Sequence, residues 1–471
     1  MKVLESPSLD QLDLSVGPVL LVNAPAVDVR LPWARWLQPL GLLQLGTALK
    51  ARGYDVRLID CLQSPGNGRL ARERVGVVEL AGTKINVWRF GRSPAHVARQ
   101  LRAWVNAGWA PSCVLVSCLV STWWQGARDL IAELRKVTQC PIVLGGPYVM
   151  AYRAHAQAHT AADVLVAGAV AETEEATRDL ALYRPGRLPR FAGLPFLRRA
   201  QGPEGGLVVR EPEDIAKEVK GKAALGVTTF AFFDEWLGPE HREGLAAVLE
   251  KVGDLSLTKA GFVVIGNFSP RLVDTELAVL LRRAKFRQLS FHDDLEVAAD
   301  GVERTASYDD YARSVQALRQ AGFRARTDQI SAAMVAGFPS ESIGGVVERL
   351  VRLASIVGSV NLVPYQYTPG KPEADRYAEL VAGVQGFEDP AALNAQLYPL
   401  ARQAGAAIED YWELTRLAAL LNSKYRSQTF DFLGSTLAAH LVRNSLALGR
   451  WDPAIRNPAS GLPVLVPTAG N

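Results

Sequence analysis

Short apolar, β-branched runs recur along the chain, each breaking into Ser, Thr, Gly, Asn or Asp at its end. Helical periodicity follows most of them. Runs of this kind read as strands of a parallel sheet buried on both faces, because a strand with one wet face would alternate instead. Residues 18–23, Pro-Val-Leu-Leu-Val-Asn, form the first such run, and Asp55-Val-Arg-Leu-Ile-Asp60 the second. Between them Gln38-Pro-Leu-Gly-Leu-Leu-Gln-Leu-Gly-Thr-Ala-Leu-Lys-Ala-Arg-Gly53 reads as a helix, with Pro39 in its first turn, Leu42, Leu45 and Leu49 on one face and Gly53 as the stop. Val114-Leu-Val-Ser-Cys-Leu-Val-Ser-Thr-Trp-Trp-Gln125, Pro141-Ile-Val-Leu-Gly-Gly-Pro147 and Asp163-Val-Leu-Val-Ala-Gly168 continue the series, with helices expected from Ser93 or Pro94 through Trp104, over 125–138, near 150–160 and over 172–182. The pattern predicts an N-terminal doubly wound, Rossmann-like parallel sheet over 18–182, preceded by an N-terminal extension over 1–17. Residues 62–92, rich in Gly and Arg, show no clear period and read as an irregular insertion.

Residues 183–211 are proline- and glycine-rich and read as a linker. From residue 212 the rhythm restarts. Strands are expected at Thr228-Thr-Phe-Ala-Phe-Phe233, Gly261-Phe-Val-Val-Ile-Gly266, Gln288-Leu-Ser-Phe291, Ala332-Ala-Met-Val-Ala-Gly337 and Val360-Asn-Leu-Val-Pro364, with helices between them. Serial β/α repetition with a polar loop after each strand predicts a partial or full β/α barrel over 212–370. A helical region and tail follow over 371–471. The fold class is therefore α/β.

Composition narrows the function classes. A net charge of +4, without a long block of one sign, gives no basic stripe for nucleic acid. No apolar run reaches the roughly 18 to 20 residues of a membrane span, and the first residues are not a secretory signal, so the cytoplasm is the default. The four cysteines, at 61, 113, 118 and 140, have no zinc-site spacing, and no metal ligands are assigned.

Candidate chemistry gathers at the strand ends, where α/β sheets bind ligands. In the first half these ends carry Ser117, Ser121, Thr122, Gly145, Gly146 and Gly168; Trp33, Trp36, Trp123 and Trp124 are aromatic candidates nearby, and Asp28 and Arg30 belong to the first loop. In the second half Asp234, Glu235, His292, Asp293, Asp294 and Glu341 fall just past predicted strands, as catalytic groups of barrels do. The bland alternatives are a tight turn for the glycine pair, ordinary packing for the tryptophans and helix N-caps for the acids.

These segments resemble the cobalamin-binding radical S-adenosylmethionine enzymes. The helix opening Gln38-Pro-Leu-Gly-Leu-Leu, the stretch Ala51-Arg-Gly-Tyr-Asp-Val-Arg-Leu-Ile-Asp60, and Val116-Ser-Cys-Leu-Val-Ser-Thr122, Val143-Leu-Gly-Gly-Pro147 and Ala162-Asp-Val-Leu-Val-Ala-Gly168 are similar to that family's cobalamin domain. Phe232-Phe-Asp-Glu235, Phe291-His-Asp-Asp294, Gly301-Val-Glu-Arg304 and Met334-Val-Ala-Gly-Phe-Pro-Ser-Glu341 are similar to its barrel. The resemblance implies cobalamin between two domains, with Gln38, Ser117, Ser121, Thr122, Gly145, Gly146 and Gly168 on the cobalamin side. It implies S-adenosylmethionine near Asp293 and Glu341, and Asp234, Glu235 and His292 as catalytic candidates. One element departs from the family. A Cys-x3-Cys-x2-Cys motif holds the family's four-iron cluster, leaving one iron open for S-adenosylmethionine, whereas the corresponding segment 190–206 has no cysteine and none occurs after Cys140. An iron–sulfur cluster is therefore not expected. What remains is a cobalamin-dependent enzyme performing non-radical methyl transfer, or a related S-adenosylmethionine/cobalamin reaction, on a small-molecule substrate. The alternative is a non-catalytic partner subunit that binds cobalamin or stabilises a cluster-bearing homologue.

Overall fold

The computed structural model describes residues 1–12, 14, 17–29, 38–63, 70–80, 83–170, 191–199, 207–232, 236–264, 268–298, 301–324, 329–339, 341–369, 377–379 and 389–394, with short pieces of 414–422. The chain forms two compact units, Met1–Pro189 with Gln366–Tyr398 and Arg190–Tyr365 with Pro399–Asn471. Both are α/β.

In the first unit the strands are β1 (Lys2–Leu4), β2 (Val19–Asn23), β3 (Ala26–Asp28), β4 (Val56–Asp60), β5 (Arg72–Leu80), β6 (Thr83–Phe90), β7 (Cys113–Ser117), β8 (Ile142–Gly145) and β9 (Val164–Val166). Six of them form one parallel sheet in the order β1-β9-β8-β7-β2-β4. Its helices are α1 (Leu40–Ala51), α2 (Pro94–Asn106), α3 (Trp124–Arg135), α4 (Pro147–Ala151) and α5 (Arg153–His159). Residues 19–22 of β2 are buried throughout, as expected of a central strand bonded on both sides. The expected strands and helices thus appear within a few residues of their predicted bounds. Tyr152 separates α4 from α5 where one helix is expected near 150–160. On α1 the buried face is Leu42, Leu43, Gly46 and Leu49, and Leu45 is only partly buried.

Two further features of the first unit differ from the sequence expectation. Residues 72–80 and 83–90 are not irregular: β5 and β6 pair antiparallel, with Leu80 opposite Thr83, and continue to β3 as a three-stranded sheet. Lys2–Leu4, within the expected N-terminal extension, pair with β9 as the sheet's edge strand. The expected helix over 172–182 lies outside the described residues.

The second unit holds β10 (Phe191–Leu194), β11 (Leu197–Arg199), β12 (Leu207–Val209), α6 (Pro212–Ala224), β13 (Thr229–Phe232), α7 (Arg242–Gly253), β14 (Gly261–Val264), α8 (Thr275–Arg283), β15 (Phe286–Phe291), β16 (Leu295–Ala298), β17 (Gly301–Arg304), α9 (Tyr308–Gln320), β18 (Ile330–Ala336), α10 (Ile343–Ile356) and β19 (Ser359–Pro364). A six-stranded sheet runs β10-β13-β14-β15-β18-β19, all parallel. Among the described residues no pairing joins β19 back to β10, so the sheet is open rather than a closed barrel. Phe230, Phe232, Phe262 and Phe286 pack ring to ring across β13, β14 and β15, with centroids 5.2 to 6.2 Å apart, and form much of its core.

The expected linker is not without structure: β10 lies in the main sheet, and the segment after it is an antiparallel ribbon, β11 with β12. Arg210 braces it, donating to the Pro195 carbonyl at 2.8 Å and to the buried Glu218 carboxylate at 2.7 Å. No helix among the described residues is long and apolar enough to cross a membrane.

Gly126 shows how closely the first sheet and α3 pack. A Cβ there would lie 2.0 Å from the Pro25 carbonyl oxygen. Gly to Ala normally favours a helix by about 1 kcal/mol. Here the clash reverses the sign, and Gly126→Ala is expected to destabilise by about 2 kcal/mol. Urea unfolding of the variant checks this; equal or greater stability would contradict the packing.

Candidate functional site

The first sheet has the flavodoxin-like order, in which helices change faces between β2 and β7. Strand order reverses there, and the loops leaving the carboxyl ends of those strands diverge. Asn23, at the end of β2, lies in register between Asp60 of β4 and Ser117 of β7. Its amide donates to Asp60 at 2.8 Å, while its buried carbonyl oxygen has no hydrogen-bond partner. Ser117 is half-buried. Gly146 follows β8 with φ +99°, and a Cβ on it would lie 2.6 Å from the Cys118 carbonyl and 3.1 Å from the Ser117 hydroxyl. Ser117, Cys118 and Gly146 are therefore brought together.

The glycines are not equivalent. Gly146 needs its left-handed backbone and its close approach to Cys118 even with no ligand nearby. Gly168 is covered by Ser6, whose hydroxyl would be 2.3 Å from a Cβ. At Gly145 a Cβ meets only ordinary contacts, at 3.5 Å and 3.6 Å from Val166. Gln38 and Thr122 are buried and Ser121 is half-buried. Trp123 and Trp124 are both buried, and they follow the packing alternative. Trp123 donates its indole N–H to Asp28 at 2.8 Å, and Trp124 donates to Asp389 at 2.8 Å. Asn394 also donates to Asp28, at 2.9 Å. Asp28 is thus a buried anchor holding residues 389–394 against the first loop. Trp33, Trp36 and Arg30 lie outside the described residues.

In the second unit the ends of β15 and β18 carry a charged network. Asp293 accepts from the Val335 N–H at 2.8 Å and faces Arg304 at 3.5 Å. Arg304 and Arg349 both donate to one Glu341 oxygen, at 2.6 Å and 3.1 Å, and both donate to the Val335 carbonyl. The other Glu341 oxygen accepts from Gly337 and Phe338 N–H groups. A carboxylate offers about four lone-pair sites, so Glu341 is saturated by its own unit. Asp294 accepts from Trp236 at 3.0 Å and Ser269 at 2.5 Å, with Arg271 at 3.6 Å and His292 at 3.8 Å. The N-cap alternative fails for these acids: Asp293 and Asp294 precede the β16–β17 hairpin, and Ser307 and Ser342 cap α9 and α10.

His292 is a third exposed, and its Nδ1 is buried without a hydrogen-bond partner. Its carbonyl accepts from the Tyr311 hydroxyl at 2.8 Å and its N–H donates to Phe268 at 2.7 Å, which fix the backbone. Burial pushes Asp293 up, and the nearby arginines only partly oppose it. Burial acts the same way on Asp294, but His292, Ser269 and Trp236 outweigh it and hold that carboxyl below the ordinary value. Adjacent carboxylates displaced in opposite directions can divide proton-donating and anionic roles. Asp234 and Glu235 lie outside the described residues.

Sequence reasoning passed over Arg349, Trp236 and Ser269. The signal available was a strand-end carboxylate without a charge partner in its own loop. Among the described residues no group of three or more His, Cys, Asp or Glu side chains is set to hold a metal ion. All four cysteines belong to the first unit, where burial pushes the Cys113 and Cys118 thiols up to about 12 and Cys61 also upward. The second unit contains no cysteine.

No protein-family model matches the chain, and no curated protein matches it. Solved structures do. One is the radical S-adenosylmethionine methyltransferase TsrM from Kitasatospora setae with tryptophan substrate and the analogue aza-SAM bound, at 17% identity and TM-score 0.52, covering 79% of this chain and 77% of that one. The same enzyme with cobalamin and a 4Fe-4S cluster bound gives 16% identity and TM-score 0.53, covering 79% and 76%. At such identity the likeness establishes the fold.

Because Asp294 is depressed, its stabilising contribution is present above the ordinary aspartate value of about 3.9 and is lost as pH falls through its folded value. Asp294→Asn is expected to cost about 2 kcal/mol at neutral pH and to flatten the acid limb of stability against pH. Thermal melts across acidic pH read this; an unchanged acid limb would contradict the assignment.

Proposed function

We propose that this protein is a cobalamin-binding enzyme of polar methyl transfer that works without an iron–sulfur cluster. The observation that carries the reading is the shared fold: 79% of this chain aligns with structures of a methyltransferase that was solved with cobalamin and with an S-adenosylmethionine analogue. In this reading 18–182 is the cobalamin domain, 183–211 replaces the cluster segment, 212–370 is the barrel-like domain and 371–471 is an appended helical region. The protein is cytoplasmic and acts on a small molecule, as TsrM does on tryptophan.

Cobalamin, when bound, supplies a metal centre that accepts a methyl group from a sulfonium and passes it to a nucleophile. The residues proposed to hold it fit on two counts. Asn23 presents an orphaned side-chain carbonyl near the β2–β7 switch point, and Gly145 at the end of β8 has no side chain where a Cβ would meet only ordinary contacts. Ser117 and Ser121 offer half-buried hydroxyls to the macrocycle's amide groups, Gly146 sets the turn, and Gln38, Thr122 and Gly168 shape the surrounding loops. On the second unit S-adenosylmethionine is held at the strand ends. Asp293 offers a carboxyl oxygen there to the donor's amino group. Glu341 acts by orienting Arg304 and Arg349. His292, 3.8 Å from Asp294, takes the proton released by the nucleophile, and Asp234 and Glu235 are further catalytic candidates.

A second reading is favoured by one observation. Glu341 is saturated and Asp293 and Asp294 are buried, as in a structural network rather than a working site. In that reading the protein binds cobalamin, or supports a cluster-bearing homologue, without catalysis.

Hydroxocobalamin added to the purified protein and then desalted is expected to leave a near-stoichiometric corrin band. Gly145→Trp is expected to abolish it with an unchanged circular dichroism spectrum. This position is better than Gly146, where any side chain strains the backbone. No retained band in the wild type would overturn the proposal.

A further inference from the structure

A cavity lies on the first unit, beside β4 rather than at the β2–β7 switch point. It has a volume of about 600 Å³ and is lined by the outer edge of β4, the base of the β5–β6 hairpin and the start of α2. That size accommodates a whole small molecule rather than a lone ion. Its lining is basic: Arg72, Arg92 and Arg99 converge there with His96, Gln63 and Gln100.

None of the three arginines is ion-paired to a described residue. Arg72 lies over the Trp88 ring at 4.7 Å, which orders its guanidinium without neutralising it. Arg92 is set by Gln63 at 3.4 Å. Glu73 is the one carboxylate in the lining, and Arg89 engages it at 3.1 Å. Burial and then the charges of Arg92 and Arg99 push the His96 imidazole down, as expected in a positive field. Gly91 lets the hairpin close on β4: its φ is +94°, and a Cβ would lie 2.3 Å from the Cys61 carbonyl. The cavity is therefore built by backbone contacts, and its uncompensated charge is presented on a fixed frame.

We infer that this cavity binds a phosphoryl-bearing small molecule, held by Arg72, Arg92 and Arg99. Guanidinium groups match phosphoryl oxygens two at a time, and three of them around one space suit a diphosphate better than a monoanion. The cobalamin reading assigns no role to these residues. Binding here and corrin retention are measured separately, so failure of one leaves the other standing.

Calorimetric titration of the full-length protein with pyrophosphate, ADP and succinate tests the inference. The expected result is one-to-one binding of pyrophosphate and ADP that weakens steeply with salt, with succinate at least about tenfold weaker. Arg72→Ala and Arg99→Ala, both at exposed positions, are each expected to weaken ADP binding about tenfold. Absence of binding at millimolar pyrophosphate and ADP would overturn it. So would affinity unchanged in both variants, or a preference for succinate.

Discussion

Strand β2 is bonded on both sides and fully buried, and this constraint organises the first unit. A strand with no wet face and no free edge can place polar groups only at its ends. Asn23 is that end, and Asp60, Ser117 and the turn at Gly146 are arranged around it by register alone. The second sheet obeys the same rule. Phenylalanines fill its middle, and Ser269, Asp293, Asp294 and Glu341 lie where its strands stop. Two different chemistries, hydroxyl and backbone in one unit and charge in the other, follow from one architectural restriction.

The second unit's charges are balanced locally. Arg304 and Arg349 come from a hairpin strand and a helix, yet meet on the same Glu341 oxygen and the same Val335 carbonyl. Burial lowers Arg349 and raises Asp293, so neither would keep its charge cheaply without the other groups. This network fixes the end of β18 and the entry to α10. His292 stands beside it, 3.8 Å from Asp294, and its buried Nδ1 makes no hydrogen bond.

The main β/α elements were legible because parallel strands are continuous apolar runs, and amphipathic helices such as α2 and α9 carry a clear period and a serine cap. The β5–β6 hairpin was not read, because the arginines and glycines around it obscure the alternation of its strands. Lys2–Leu4 was not legible, since three residues carry no period. The strand-end positions of Ser117, Gly146, His292 and Asp293 could be read from sequence. Their partners could not: Arg304 meets Glu341 across 37 positions, and Asn394 meets Asp28 across 366. The same distance hid the role of Trp123 and Trp124, whose indoles are fixed by Asp28 and Asp389.

The proposed reaction is polar methyl transfer by a chain whose second unit has no cysteine. The most direct test supplies the protein with cob(I)alamin and S-adenosylmethionine under anaerobic reduction and identifies the products of the sulfonium. The account predicts methylcobalamin and S-adenosylhomocysteine in equal amounts, with no 5′-deoxyadenosine. Formation of 5′-deoxyadenosine, accompanied by stoichiometric iron and sulfide, would contradict it.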